Sequence, residues 1–274
     1  MKKLFYRLII FLDTADDNDT NYNIGWYLAH HFSEIATMGI SELAKKCYVS
    51  PATISRFCRA LGYENFAHLK QECAEFSSDM KKFNNLIDVD IDLMTKKPKE
   101  AVSYFASKVS DVILDLPNYL DWDEIDRVLH LINQTESVAF FGTQFSQSIA
   151  LHFQTDLLML EKFTMAYLDD ERQLNCAQNL DSDSVAVIIS VNGLYVTGNN
   201  KTLAYIKKSG CKVILITCNP DFEKMIDLKI SHRIIIGDKD KARVGKHALL
   251  ATIELMSLRY YSLFYPNVAG SIIK

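Results

Sequence analysis

The sequence predicts two domains of different class: an all-α N-terminal domain, then an α/β three-layer sandwich on a parallel sheet. Its 274 residues, at roughly 100–200 residues per domain, admit two domains of ordinary size. Apolar residues recur only at helical spacing through the first eighty or so positions, and β-branched runs that alternate with helical stretches begin only at Ser137. A composition of 49% hydrophobic and 23% charged residues excludes wholesale disorder. The formal charge is −4, so any face that binds nucleic acid has to be local.

In the N-terminal region, Leu4, Leu8, Ile9, Phe11 and Leu12 mark a short helix, and the acidic stretch 16–23 breaks it. Ile24, Tyr27, Leu28, His31, Phe32 and Ile35 form one further helical stripe, followed by helices near Ser41–Cys47, Pro51–Leu61 and Asn65–Ser77. Residues 78–99 are mostly polar and read as a linker. A helix then runs to about Leu116, where Pro117 ends it. Asp121 and Glu124 have the spacing of a capping box and open a helix over Glu124–Ile132. Strands are predicted at Ser137–Phe141, Val185–Ser190, Lys212–Thr217 and Arg233–Ile236, with a helix from Ser146 to about Leu160. The predicted domains are therefore 1–77 and 100–274.

No stretch reaches the roughly 18–20 apolar residues of a membrane span, so no membrane role is expected. The basic, apolar start resembles a signal peptide, but Arg7 interrupts it and Asp13, Asp16, Asp17 and Asp19 follow, which favours an ordinary helix. The six cysteines form no C-x-x-C pair and no metal-like cluster with histidine. They read as small buried hydrophobes in a reducing, cytoplasmic setting, and no cofactor or metal is expected.

The most specific motif runs from Ile40 to Gly62 and reads as two short helices joined by a tight turn. Ile40, Leu43, Ala44, Val49, Ile54, Phe57 and Leu61 supply the faces that lock them together. Ser50 suits the N-cap, Pro51 the first helical position and Gly62 the left-handed C-cap of the second helix. That helix would present Ala52, Thr53, Ser55, Arg56 and Arg59, the residue types with which recognition helices meet bases and phosphates. Between Ser41 and Lys70 there are five basic residues, Lys45, Lys46, Arg56, Arg59 and Lys70, against two acidic ones. Such a patch suits double-stranded DNA. On the pattern alone, a helical hairpin used for protein contacts is the alternative.

The run Ile40-Ser-Glu-Leu-Ala44, with Val49-Ser-Pro-Ala-Thr-Ile-Ser-Arg-Phe-Cys-Arg-Ala-Leu-Gly-Tyr-Glu-Asn-Phe66, resembles the RpiR family of bacterial transcriptional regulators. The resemblance implies an N-terminal helix-turn-helix joined to a C-terminal SIS (sugar isomerase) domain with a flavodoxin-like sheet. It further implies a phosphosugar effector, and a homodimer or tetramer that reads a palindromic operator. The first SIS loop is usually Gly-x-Gly-x-Ser; here it is Gly142-Thr-Gln144-Phe-Ser146, with Ser148 nearby. The second is usually Ser-x-Ser-Gly-x-Thr; here it is Ser190-Val-Asn192-Gly193-Leu-Tyr195. A glycine turn opening a helix offers backbone N–H groups to phosphate. Gln144, Asn192 and Tyr195 depart from that pattern.

These departures leave three readings of the C-terminal half: a site for a phosphosugar or related phosphorylated metabolite, a site for an unphosphorylated ligand, and a dimerisation scaffold. An isomerase would need a general acid/base, for which His247, Glu254 and Glu161 are the candidates. With a helix-turn-helix attached and both loops altered, the expectation is no catalytic residue and no enzyme. Tyr260, Tyr261, Phe264 and Tyr265 read as core or subunit interface, and 239–243 as a solvated loop.

Overall fold

The computed structural model describes residues 3–81, 91–191, 193, 195, 200–219, 221, 227–238 and 244–266. The chain divides into two compact units, Met1–Leu86 and Ile87–Lys274.

The first unit is helical: α1 (Lys3–Thr14), α2 (Thr20–His30), α3 (Phe32–Ile35), α4 (Ile40–Lys46), α5 (Pro51–Ala60) and α6 (Phe66–Lys81). Its core gathers one face of each helix, including Leu4, Leu8, Leu28, Ile35, Leu43, Ile54, Phe57, Leu69 and Cys73. A fully buried side chain such as Phe57 contributes about 1.5–3 kcal/mol. Asp19 caps α2 by accepting from the Asn21 N–H, so the helix begins inside the acidic stretch expected to separate α1 from it. The single stripe expected from Ile24 to Ile35 is in fact two helices. His31 breaks it at φ −132°, its ring stacked on Tyr27 and its Nδ1 bonded to Glu34. Arg7 of α1 donates to the Gly62 carbonyl and lies over the Tyr63 ring, tying α1 to the end of α5.

The stretch expected as a linker, 78–99, is largely helical where it is described. It holds the last turn of α6, then α7 (Ile91–Lys96) and the start of α8 (Pro98–Leu114), with 82–90 outside the described residues. Ion pairs Lys96–Asp92 and Lys97–Glu100 explain why so polar a segment winds into helix. Proline at the first position of α8 costs no hydrogen bond.

The second unit continues with α9 (Trp122–Gln134), β1 (Val138–Phe141), α10 (Phe145–Met159), β2 (Met165–Ala166), α11 (Asp170–Gln178) and β3 (Val185–Ile189). It ends with α12 (Asn200–Ser209), β4 (Lys212–Thr217), β5 (His232–Ile235) and α13 (Gly245–Phe264). The strands form one parallel sheet in the order β2-β1-β3-β4-β5. Val138, Phe140, Val185, Val187, Ile214 and Ile216 face a core shared with α9, α10 and α13. Their neighbours Ala139, Phe141, Ala186, Ile188, Val213 and Leu215 face the core shared with α11 and α12. The strands are thus buried on both faces, as a doubly wound sheet requires. Among the aromatic residues near the C-terminus, Tyr260 is core, bonded to Asn133, and the Tyr265 hydroxyl donates to the Leu160 carbonyl. Residues 239–243 lie outside the described set.

Candidate nucleic-acid interface and effector loops

Helix α5 starts where the sequence says it must. The Ser50 Oγ accepts from the Thr53 N–H at 3.2 Å, Pro51 follows, and Gly62 takes φ +81° just past the end. Ile54, Phe57 and Cys58 are buried, which leaves Ala52, Arg56 and Arg59 exposed and Thr53 and Ser55 half-buried. Local bonds order this outer surface: Arg56 donates to the Thr53 Oγ1 at 3.2 Å, Ser55 to the Pro51 carbonyl at 3.2 Å, and Arg59 Nε to the Ser55 carbonyl at 3.4 Å. Lys70 is placed differently. It sits on α6 and donates to the Thr37 carbonyl at 3.3 Å, tying α6 to the chain before α4.

In the second unit, the β1 and β3 carboxyl ends lie side by side at the point where strand order reverses, with Phe141 in register with Ile188. A Cβ on Gly142 would stand 3.1 Å from both the Ile189 carbonyl and the Gln147 Oε1, so any larger residue would have to push these neighbours back where the strand enters α10. Gln144 holds φ 51° and ψ −122°, a conformation that favours glycine. The chain therefore keeps the geometry of a glycine turn without the glycine. Ser146 is buried, whereas Ser148 is exposed and donates to the Gln144 carbonyl.

The second loop is committed to internal bonds. Ser190 accepts from the Tyr195 N–H at 3.2 Å through its hydroxyl and from Thr217 at 2.7 Å through its carbonyl. Gly193 takes φ +78°, and Asn192 lies outside the described residues. Tyr195 is 1% exposed and belongs to the core beside α11 and α12. Its hydroxyl donates to the Gln173 Oε1 at 3.1 Å, and Gln173 in turn donates to the Gly142 and Tyr167 carbonyls at 3.0 and 2.9 Å. Burial raises the Tyr195 pKa, with Asp170 adding to the effect, so the phenol stays a neutral donor. Gln173 thus bridges the two loops. Nothing in its spacing marked it beyond being a polar residue in a helix with few apolar positions.

Of the acid/base candidates, His247 packs edge-on against Phe105, its Nε2 is buried with no hydrogen-bond partner among the described residues, and burial, then Lys246, lowers its pKa. Glu254 is exposed, and Glu161 lies just past the end of α10 at φ 58°. Of two clefts, of about 700 and 510 Å³, the larger opens at the amino ends of the strands, where Ser137, Val185 and Lys212 line it. The larger sits at the opposite end of the sheet from Gly142 and Ser190, whereas the smaller runs along the β2 edge beside α11, from Ser137 to Tyr167 and Arg172. Among the described residues no group of His, Cys, Asp and Glu is arranged to hold a metal, and no helix is long and apolar enough to cross a membrane.

Residues 16–79 match the model of the rpiR-family helix-turn-helix domain. The N-terminal domain is an rpiR-family helix-turn-helix. Its relatives include proteins named as HTH-type transcriptional regulators. The chain is 22% identical over 206 residues to a protein of Providencia stuartii named an uncharacterized HTH-type transcriptional regulator, spanning 72% of this chain and 69% of that one. It is 26% identical over 171 residues to the uncharacterized HTH-type transcriptional regulator YbbH of Bacillus subtilis, spanning 61% and 58%. The chain thus spans about three fifths to seven tenths of the lengths of these relatives. Beyond the rpiR-type domain, the fold is shared with the Vibrio vulnificus NanR protein, solved with ManNAc-6P: TM-score 0.51, 15% identity, 98% of this chain and 95% of that one. Phosphoheptose isomerase GmhA of Neisseria gonorrhoeae is similar over 61% of this chain and 100% of its own, with TM-score 0.51 and 16% identity. The second unit shares its parallel-sheet α/β fold with these structures.

Proposed function

We propose that the chain is a sequence-specific DNA-binding transcriptional regulator of carbohydrate metabolism, controlled by a phosphosugar or related phosphorylated effector. The observation that carries this is α5: capped by Ser50, started by Pro51, and presenting Ala52, Arg56 and Arg59 from a stretch without acidic residues. Its N-terminal turn enters the major groove, where Arg56 reads a base edge and Ser50, Thr53, Ser55 and Arg59 meet bases or phosphates. Lys70 reaches phosphate once it leaves the Thr37 carbonyl. The protein works in the cytoplasm as a homodimer or tetramer, and two recognition helices related by a two-fold axis read a palindromic operator. The effector lies between the loops at Gly142–Ser148 and Ser190–Tyr195, at the α10 N-terminus. It is not an enzyme in this reading.

The bonds that occupy Ser190 and Tyr195 support a second reading, in which the SIS-like unit only assembles subunits. The test begins by selecting duplexes from a random library with the full chain. Arg56→Ala then weakens the selected duplex by about 1–3 kcal/mol if Arg56 reads a base. Unchanged affinity removes α5 from the interface.

A further inference from the structure

Tyr48 has no role in the fold that its position explains. It lies in the turn between α4 and α5, at φ 56°. Bulky side chains rarely adopt this left-handed conformation. Its side chain is 96% exposed, so the ring buries almost nothing in return. The adjoining Val49 packs on the core and Ser50 caps α5, so the turn has its structural residues without Tyr48. Around it, Lys45, Lys46, Ser50, Ala52 and Arg56 are exposed, and no Asp or Glu occurs from Leu43 to Tyr63. A strained bulky residue held in solvent, in a stretch of sequence that carries no acidic side chain, marks a binding position.

We infer that Tyr48 is a DNA-backbone contact, its hydroxyl donating to a phosphate oxygen beside the groove that α5 enters. This rests on the DNA-binding reading above. With the α5 N-terminus in the groove, the turn two residues before its cap lies against the bordering strand, and tyrosine is among the side chains that bind phosphate oxygens. The phenol is neutral, so it adds a hydrogen bond without releasing a counterion.

The experiment compares the full chain with Tyr48→Phe, Tyr48→Gly and Arg56→Ala on a selected duplex and on an unrelated one, across a range of salt. Tyr48→Phe is expected to weaken both duplexes by a similar factor, roughly three- to tenfold, with an unchanged slope of log affinity against log salt. Tyr48→Gly weakens binding at least as much, while the thermal midpoint of the free protein holds or rises, because glycine takes this conformation without strain. Parent-like binding by both Tyr48 variants, with Arg56→Ala impaired, overturns the inference and leaves the DNA-binding reading standing. A loss confined to the selected duplex overturns the phosphate assignment in favour of a base contact. Failure of the parent chain to bind any duplex overturns both.

Discussion

Gln144 stands where the backbone asks for glycine, and the geometry of the turn was kept despite it. At φ 51° and ψ −122° its side chain costs about 1–3 kcal/mol in backbone strain. A glycine there would lose more entropy on folding, offsetting roughly 0.5–1 kcal/mol of the relief. Gln144→Gly is therefore expected to stabilise the protein by about 1 kcal/mol, raising Tm by a few degrees. Chemical denaturation of the two proteins side by side decides it. A less stable variant would mean that the Gln144 side chain makes contacts worth more than the strain. Tyr195 shows the opposite kind of departure: a large residue absorbed into the core, its hydroxyl tied through Gln173 to the Gly142 carbonyl.

Helix α9 holds the sheet's β5 edge through one carboxylate. Glu124 accepts from Arg127 Nε at 2.8 Å, from the Arg233 N–H at 3.2 Å, and bonds His232 Nδ1 at 3.0 Å. Burial alone would raise its pKa, but the hydrogen bonds from Arg127, His232 and Arg233 outweigh it and hold the carboxyl below its ordinary value. Asp126 on the same helix is held down by the Arg259 guanidinium of α13. Both are carboxylates with depressed folded-state pKa values, so their contribution is fully present above the unfolded values, about 4. It is lost as pH falls through the lower folded values. Glu124→Gln is expected to flatten the acid limb of a stability–pH profile below about pH 5. A profile identical to that of the parent would show that the carboxylate is not linked to folding. The same elements show what local sequence signals reveal. The Asp121 cap of α9, the Ser50–Pro51 start of α5 and the Gly62 end are legible because a few adjacent residues satisfy the helix termini. β2 was not, since two residues cannot display a period and Met165–Ala166 is held by pairing with β1. The break at His31 depends on a ring stack and a hydrogen bond that an apolar stripe does not record. The Gln173 bridge joins residues 22 and 31 positions apart, beyond any motif.

At the scale of the whole molecule, a regulator must connect ligand occupancy to DNA affinity. A ligand can do this only by binding two arrangements of the protein unequally, and the connection is then reciprocal. If a sugar phosphate changes operator affinity by some factor, operator DNA must change the affinity for that sugar phosphate by the same factor, commonly 5- to 150-fold. A panel of sugar phosphates and amino-sugar phosphates, with the free sugars alongside, is expected to raise Tm only for phosphorylated members, since ligand at a hundred times its Kd adds about 2.7 kcal/mol. Titrating the hit with and without the selected duplex, and the duplex with and without the hit, then gives two factors that should agree. Hits among the free sugars alone would remove the phosphate from the site. A stabilising sugar phosphate with both factors equal to one would leave a binding domain that signals nothing to the DNA. An empty panel would instead favour the assembly role, in which the bonds of Ser190 and Tyr195 are structural and α5 reads its operator at constant strength.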